Sequence, residues 1–207
     1  AGAAPDLLFD PVSGRWSAVP EDPLPGTVGR QVLPLDGGDA VLVAVPQDGS
    51  SPFRPWRLAR WSAVTGTWNR LPDPGTVESS PAWFVASGLV VNPSSEVVEV
   101  DGDRRATGGI LDPATLTWSD VPPFEPAPDQ QPSTAGAGRV VVQGGVLDVR
   151  DGRWTRLPAR PGGFVVQTGD AVTPGGVLAL FGGVRSEGDG AWTRDALSAD
   201  LWLLRLP

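Results

Sequence analysis

The sequence predicts an all-β protein assembled from repeated antiparallel sheets, on three observations. Its 207 residues include 27 Gly and 23 Pro, which interrupt the chain too often for long helices. A Trp-x-x-[Val/Leu]-Pro pattern occurs four times, at Trp16–Pro20, Trp68–Pro72, Trp118–Pro122 and Trp154–Pro158. Short Val-rich runs lie between the copies, several of them next to paired glycines: Gly108-Gly109, Gly144-Gly145 and Gly182-Gly183.

Each Trp copy reads as the second half of a hairpin. Upstream of it stand Phe9-Asp10-Pro11-Val12-Ser13-Gly14, Leu111-Asp112-Pro113-Ala114-Thr115-Leu116 and two looser versions that begin at Trp61 and Leu147. An apolar strand therefore enters a turn of Asp, Pro, Ser/Thr and Gly, and a second strand opens with Trp and stops at Pro, which cannot donate to a ladder. The runs at 40–45, 88–91, 139–142 and 177–181 supply further strands.

A Val-rich strand, a glycine pair, a strand leading to Asp-Pro-x-[Ser/Thr] and then Trp-x-x-Leu-Pro resembles the kelch repeat. The resemblance covers nearly the whole chain and implies a β-propeller of four-stranded blades, each about 50 residues, set around an axis. With the strands of a blade lettered a to d from the axis outward, residues 7–19 supply c and d. Full sets follow at about 28–71, 82–121 and 133–157, and a, b and c come near 163–167, 177–181 and 200–204. That makes four to five blades in a single domain, 1–207. Three ways of completing the ring stay open: closure by the N-terminal strand, as the resemblance implies, membership of a larger propeller, or two copies pairing through open blade edges. Glu96–Val100 fits no slot in this frame. The resemblance also implies that Trp16, Trp68, Trp118 and Trp154 pack between blades, with their indole N–H groups bonded.

Composition excludes much chemistry. The chain has no Cys and no His, which removes thiol nucleophiles, Ser-His-Asp triads and the commonest zinc ligands. Copper radical oxidases share the kelch-type architecture, but their site needs Tyr, His and Cys, none of which occurs here. No cofactor is expected. The clusters Asp36-Gly37-Gly38-Asp39, Asp101-Gly102-Asp103 and Glu187-Gly188-Asp189-Gly190 read as turns rather than calcium loops, so no metal is expected either. A net charge of −8 repels phosphate backbones and argues against nucleic acid as a partner. No run of about 18 apolar residues suggests insertion in a membrane. The opening Ala-Gly-Ala-Ala-Pro is compatible with a stub left by signal cleavage, hence the expectation of an extracellular or cell-surface location.

Because strands alternate in direction, the b–c and d–a loops of every blade emerge on one face. The insert Asp48–Leu58, the loop Val184–Ala199 and the Pro-rich connection Pro122–Pro132 all belong to it. Arg54, Trp56, Arg57, Trp192 and Arg194 are the candidate binding residues there, since Trp and Arg concentrate at the energetic centres of interfaces. An equal alternative has the two Trp side chains plugging their own loops. The expected function is a non-catalytic binding or interaction module for a protein or glycan. The alternatives are a sugar-processing enzyme using carboxylates and Arg, and a structural assembly subunit.

Overall fold

The computed structural model describes residues 7–47, 54–77, 83–100, 102–125, 133–142, 144–158, 165–166, 169–182, 184–185 and 201–206. All of its regular structure is β apart from one short 3-10 turn. The chain divides into two compact units, Ala1–Glu78 and Ser79–Pro207.

The first unit opens with a hairpin, β1 (Leu7–Asp10) on β2 (Arg15–Ala18). Four strands follow as an antiparallel meander: β3 (Thr27–Pro34), β4 (Ala40–Pro46), β5 (Arg57–Ser62) and β6 (Thr67–Arg70). Strand β4 is buried along Val41–Val45, which explains its unbroken apolar run: a strand covered on both faces needs no polar alternation. On one face Leu42, Ala44 and Ala59 form a cluster with Leu24, and Trp68 packs against it.

The second unit repeats the plan. Its first sheet has the order β7 (Phe84–Ala86), β8 (Leu89–Asn92), β11 (Gly109–Asp112), β12 (Thr117–Ser119). Between β8 and β11 the chain forms a separate ribbon, β9 (Val97–Val100) with β10 (Asp103–Ala106). The run that fitted no strand of a blade is thus one arm of a hairpin inserted in a b–c connection. A second meander comprises β13 (Ser133–Gly136), β14 (Arg139–Val142), β15 (Gly145–Asp148) and β16 (Arg153–Arg156).

The final sheet corrects the expected strand near 163–167. Its first strand is β18 (Gly169–Val172), on β19 (Val177–Phe181) and then β21 (Leu201–Arg205). The earlier residues give β17 (Val165–Val166), which pairs instead with β20 (Val184–Arg185). The shift follows pairing length: residues 169–172 match four positions of β19, whereas 165–166 match only two of β20.

Within this unit the sheets stack face to face. Val140, Val142 and Leu147 join Ala86, Val91 and Ile110 of the preceding sheet. Their neighbours Val141 and Val146 point the other way, into a cluster with Leu178 of the following sheet. That period-two division is the pleat acting on a doubly covered sheet. The leading strand β13 lies against both β7 and β18. A Cβ on Gly136 would meet the Val172 carbonyl oxygen at 2.8 Å, so a side chain there would push β13 and β18 apart.

The turns between each third and fourth strand share one chemistry. Asp10 accepts the Val12 N–H at 2.9 Å and the Ser13 hydroxyl at 2.5 Å. Asp112 accepts the N–H groups of Ala114 at 2.8 Å and Thr115 at 3.3 Å, and Asp148 those of Arg150 at 3.1 Å and Asp151 at 3.2 Å. The copy with Ser62 in this place borrows a carboxylate from elsewhere: Asp39 accepts the Ala63 N–H at 2.9 Å and pairs with Arg60 at 2.7 Å. The loose copy and the Asp36–Asp39 cluster therefore explain each other.

These contacts hold the pKa of three carboxyls below the ordinary 3.8: Asp10 chiefly through the Ser13 hydroxyl, Asp39 through the Ala63 N–H and then Arg60, and Asp112 through the Ala114 N–H. A carboxyl depressed by folding contributes stability that is fully present above 3.8 and is lost as the pH falls through its folded-state value. Asp39→Asn with Asp112→Asn is expected to flatten the acid side of the stability profile, read from urea midpoints between about pH 5 and pH 2.5. An unchanged slope would mean that these turns contribute nothing through ionisation.

The last turn position is left-handed in all four copies, at Gly14, Gly66, Leu116 and Gly152, with φ of 65°, 64°, 59° and 60°. Leu116 is the exception in residue type, and an L side chain is strained there. Leu116→Gly is expected to stabilise the second unit by roughly 0.5–1 kcal/mol, the relief of strain less the added freedom of the unfolded chain. Equilibrium denaturation measures it.

Candidate functional site

The four repeat Trp residues take four different environments. Trp154 stacks on Phe124 with ring centroids 4.5 Å apart, and its indole N–H donates to the Pro122 carbonyl at 2.8 Å. Trp118 meets Trp83 edge-on at 6.0 Å, but its indole nitrogen is buried with no acceptor among the described residues, contrary to the expectation of a bonded N–H. Trp68 packs near Leu24 and lies 5.5 Å from Trp61.

Leu24, Trp83 and Phe124 all precede the first strand of their sheet, in the segment that connects it to the sheet before. In each case that connector covers the next Trp. The sequence carried this signal as one large apolar residue per connector, which the reading of the repeat passed over. Trp16 corrects the expectation of burial, since it is 64% exposed and lies beside Phe9, with ring centroids 4.9 Å apart. Among the described residues its hairpin pairs with no other strand.

The proposed binding residues divide similarly. Trp192 and Arg194 lie outside the described residues. Trp56 is 8% exposed. Pro55 bridges to Val77, and the Trp56 N–H donates to the Thr76 carbonyl at 3.3 Å, so the end of the insert is pinned to the chain that leaves β6. This burial favours the alternative in which Trp56 plugs its own loop.

Arg54 and Arg57 remain beside a cleft. The end of β4, the start of β5, the end of β6 and the approach to β3 meet at one end of the sheet, where the b–c and d–a connections run. They enclose about 500 Å³ lined by Pro23, Leu24, Pro25, Gly26, Thr27, Pro46, Gln47, Arg57 and Arg70. Backbone bonds set the walls: Gln47 N–H donates to the Gly26 carbonyl at 2.8 Å, and Leu71 N–H to that of Leu58 at 2.9 Å.

Charge surrounds this cleft. Arg57 pairs with one oxygen of Asp73, and Arg70 holds the other at 3.3 Å. Arg30 pairs with Asp22 and donates to the Thr27 hydroxyl at 3.0 Å and the Leu24 carbonyl at 3.3 Å. Arg54 reaches the Pro46 carbonyl at 3.5 Å. These are partly exposed pairs and contribute little stability, about 0–1 kcal/mol each, so folding does not require them. The sequence reading found Arg54 and Arg57 by the composition of their insert. It missed Arg30, Arg70, Asp22 and Asp73, which sit in a strand, a repeat end and two connectors that only the register brings together.

A second polar group lies at the corresponding end of the first sheet of the other unit. Asn92, Ser94 and Thr107 are buried at the base of the β9–β10 ribbon, with the Ser94 and Thr107 hydroxyls 2.6 Å apart and Thr107 donating to the Glu96 carbonyl at 3.1 Å. These bonds tie the ribbon to its sheet. Among the described residues no three His, Cys, Asp or Glu side chains are grouped to hold a metal, and no helix is long and apolar enough to cross a membrane. Compared with protein-family models the sequence finds no match, and compared with curated proteins it likewise finds none.

Proposed function

We propose that the chain is a kelch-type propeller, or part of one, that acts as a non-catalytic binding module for a protein or glycan at or outside the cell surface, through the face formed by its b–c and d–a connections. The observation that carries this reading is the cleft at that end of β3–β6, with Arg57 and Arg70 on its wall. Concave sites with a few convergent polar groups are where small ligands and chain ends bind, and guanidinium groups not needed for folding are free to serve recognition. Among the described residues, the three carboxyls with shifted acidity are all more acidic than usual, the wrong direction for the proton donor that a carboxylate enzyme needs.

The test is a screen of the purified chain against arrayed glycans and cell-surface polymers, with Arg57→Ala alongside. A ligand retained by the native chain and weakened about tenfold or more by the substitution is the expected result. Binding that Arg57→Ala leaves untouched would remove the cleft from the reading.

One observation favours a second reading, assembly through open edges. Among the described residues, Leu7, Leu8, Phe9 and Trp16 are exposed on a hairpin that pairs with no other strand, and β21 ends its sheet with Leu201 and Leu203 exposed. Such edges invite pairing with another chain. Light scattering over a concentration series decides it: growth in mass that a charged replacement at Leu203 abolishes supports assembly, and a constant monomer mass opposes it.

A further inference from the structure

We infer that the cleft beside β3–β6 binds the oxyanion of a short acidic sugar, and that Asp73 occupies the anion position until the ligand displaces it. The inference rests on the binding-module reading and names the ligand class.

The cleft's own contacts point to this class. Asp73 is gripped by two guanidinium groups, one on each carboxylate oxygen, so the place beside Arg57 and Arg70 already accommodates a carboxylate. Both arginines line the cavity. Around it, among the described residues, three arginines (Arg30, Arg57 and Arg70) contact lining groups or line it themselves, against two carboxylates, Asp22 and Asp73. This local excess is positive in a chain of net charge −8. Remote charges are screened beyond about 8 Å at physiological ionic strength, so the guanidinium groups at contact distance decide what a small ligand meets. A long polyanion would still cross the field of the whole chain, which favours a short oligosaccharide or a chain end.

The rest of the lining suits a sugar ring. Pro23, Pro25 and Pro46 offer rigid apolar walls, and the Gln47 amide provides both donor and acceptor. A volume of about 500 Å³ lies within the usual range for small-ligand sites. A forked guanidinium recognises a carboxylate or a sulfate ester alike, and the two sources are separated by experiment.

Titration calorimetry of the full chain with trigalacturonate, glucosamine 6-sulfate and maltotriose tests the inference. An acidic sugar is expected to bind, and the double variant Arg57→Gln, Arg70→Gln to weaken it about tenfold or more. Asp73→Asn is expected to tighten it about tenfold, because the competing carboxylate is gone. The Asp73 variant keeps the test decisive if the arginine variant folds poorly. Tighter binding of the uronate than of the sulfate assigns the anion to a carboxylate, and the reverse assigns it to a sulfate ester. Maltotriose binding equal to that of the acidic sugars, indifferent to Asp73→Asn, would overturn the anion assignment and leave a sugar-binding module standing. Acidic sugars that bind neither the native chain nor the Asp73 variant would overturn the inference, while a ligand from the array that still depends on Arg57 would preserve the module reading.

Discussion

Trp56→Ala is expected to cost about 3–5 kcal/mol, the range for truncating a buried aromatic side chain. The indole is 8% exposed, and its backbone is fastened at both Pro55–Val77 and the Trp56 N–H to Thr76 carbonyl bond. The fastening limits collapse into the space left behind, which places the cost toward the upper part of that range. With urea m-values of about 1–3 kcal/mol/M, the midpoint should fall by more than about 1 M. Binding by the cleft should survive where the variant remains folded, because Arg57 and Arg70 are placed by β5 and β6. A lost ligand with an unchanged midpoint would return Trp56 to the recognition surface.

Gly108→Ala should destabilise the second unit by about 3 kcal/mol or more, at the severe end for overpacking. A Cβ there would come closer than 3.0 Å to the carbonyl oxygens of both Ser94 and Asn92. Those atoms are backbone, and they cannot swing aside as the tip of a side chain would. Asn92 is paired with Gly109 across β8 and β11, and the Ser94 and Thr107 hydroxyls are bonded to each other, so relief would require breaking the sheet or the buried polar group. Gly175→Ala is the control: its nearest neighbour would be the Thr173 hydroxyl at 3.9 Å, and the change should stay within about 0.5 kcal/mol. Equal losses for the two substitutions would show that the effect is generic to glycine replacement and not the contact.

The second glycine of the pairs at 108–109 and 144–145 has a related reason. At Gly145 a Cβ would lie 2.5 Å from the Phe124 ring and 2.9 Å from Trp154, so the stacked aromatic pair occupies the place of a side chain. Gly109 likewise faces Trp118 at 3.4 Å. The glycine pair and the Trp of the repeat are two halves of one packing arrangement, although some 9 residues separate them in each case.

The four-stranded sheets at 27–70, 84–119 and 133–156 were legible because the second strand of each is a short apolar run and the hairpin that completes it is bounded by Gly, Pro and Asp. The Asp of the turn, the Trp of the fourth strand and the Pro after it act within a few residues of one another, and local chemistry of this kind survives in any context. The β9–β10 ribbon was less legible, since Glu96-Val97-Val98-Glu99-Val100 looks like a blade strand and only its pairing with 103–106 shows that it stands apart.

What the sequence by itself determined is the all-β class, the repeated hairpin, its turn chemistry and the absence of thiol and imidazole chemistry. The tertiary structure alone decided which aromatic residues are buried: Trp16 and Trp154 stand in the same motif, yet one is exposed and the other stacked, because burial depends on whether a distant connector arrives to cover it. It alone also gathered Arg57, Arg70 and Asp73 at one cleft. Charges from separate strands converge only when the register of the sheet is fixed, and the register is set by apolar packing on the faces, to which those charged side chains contribute nothing.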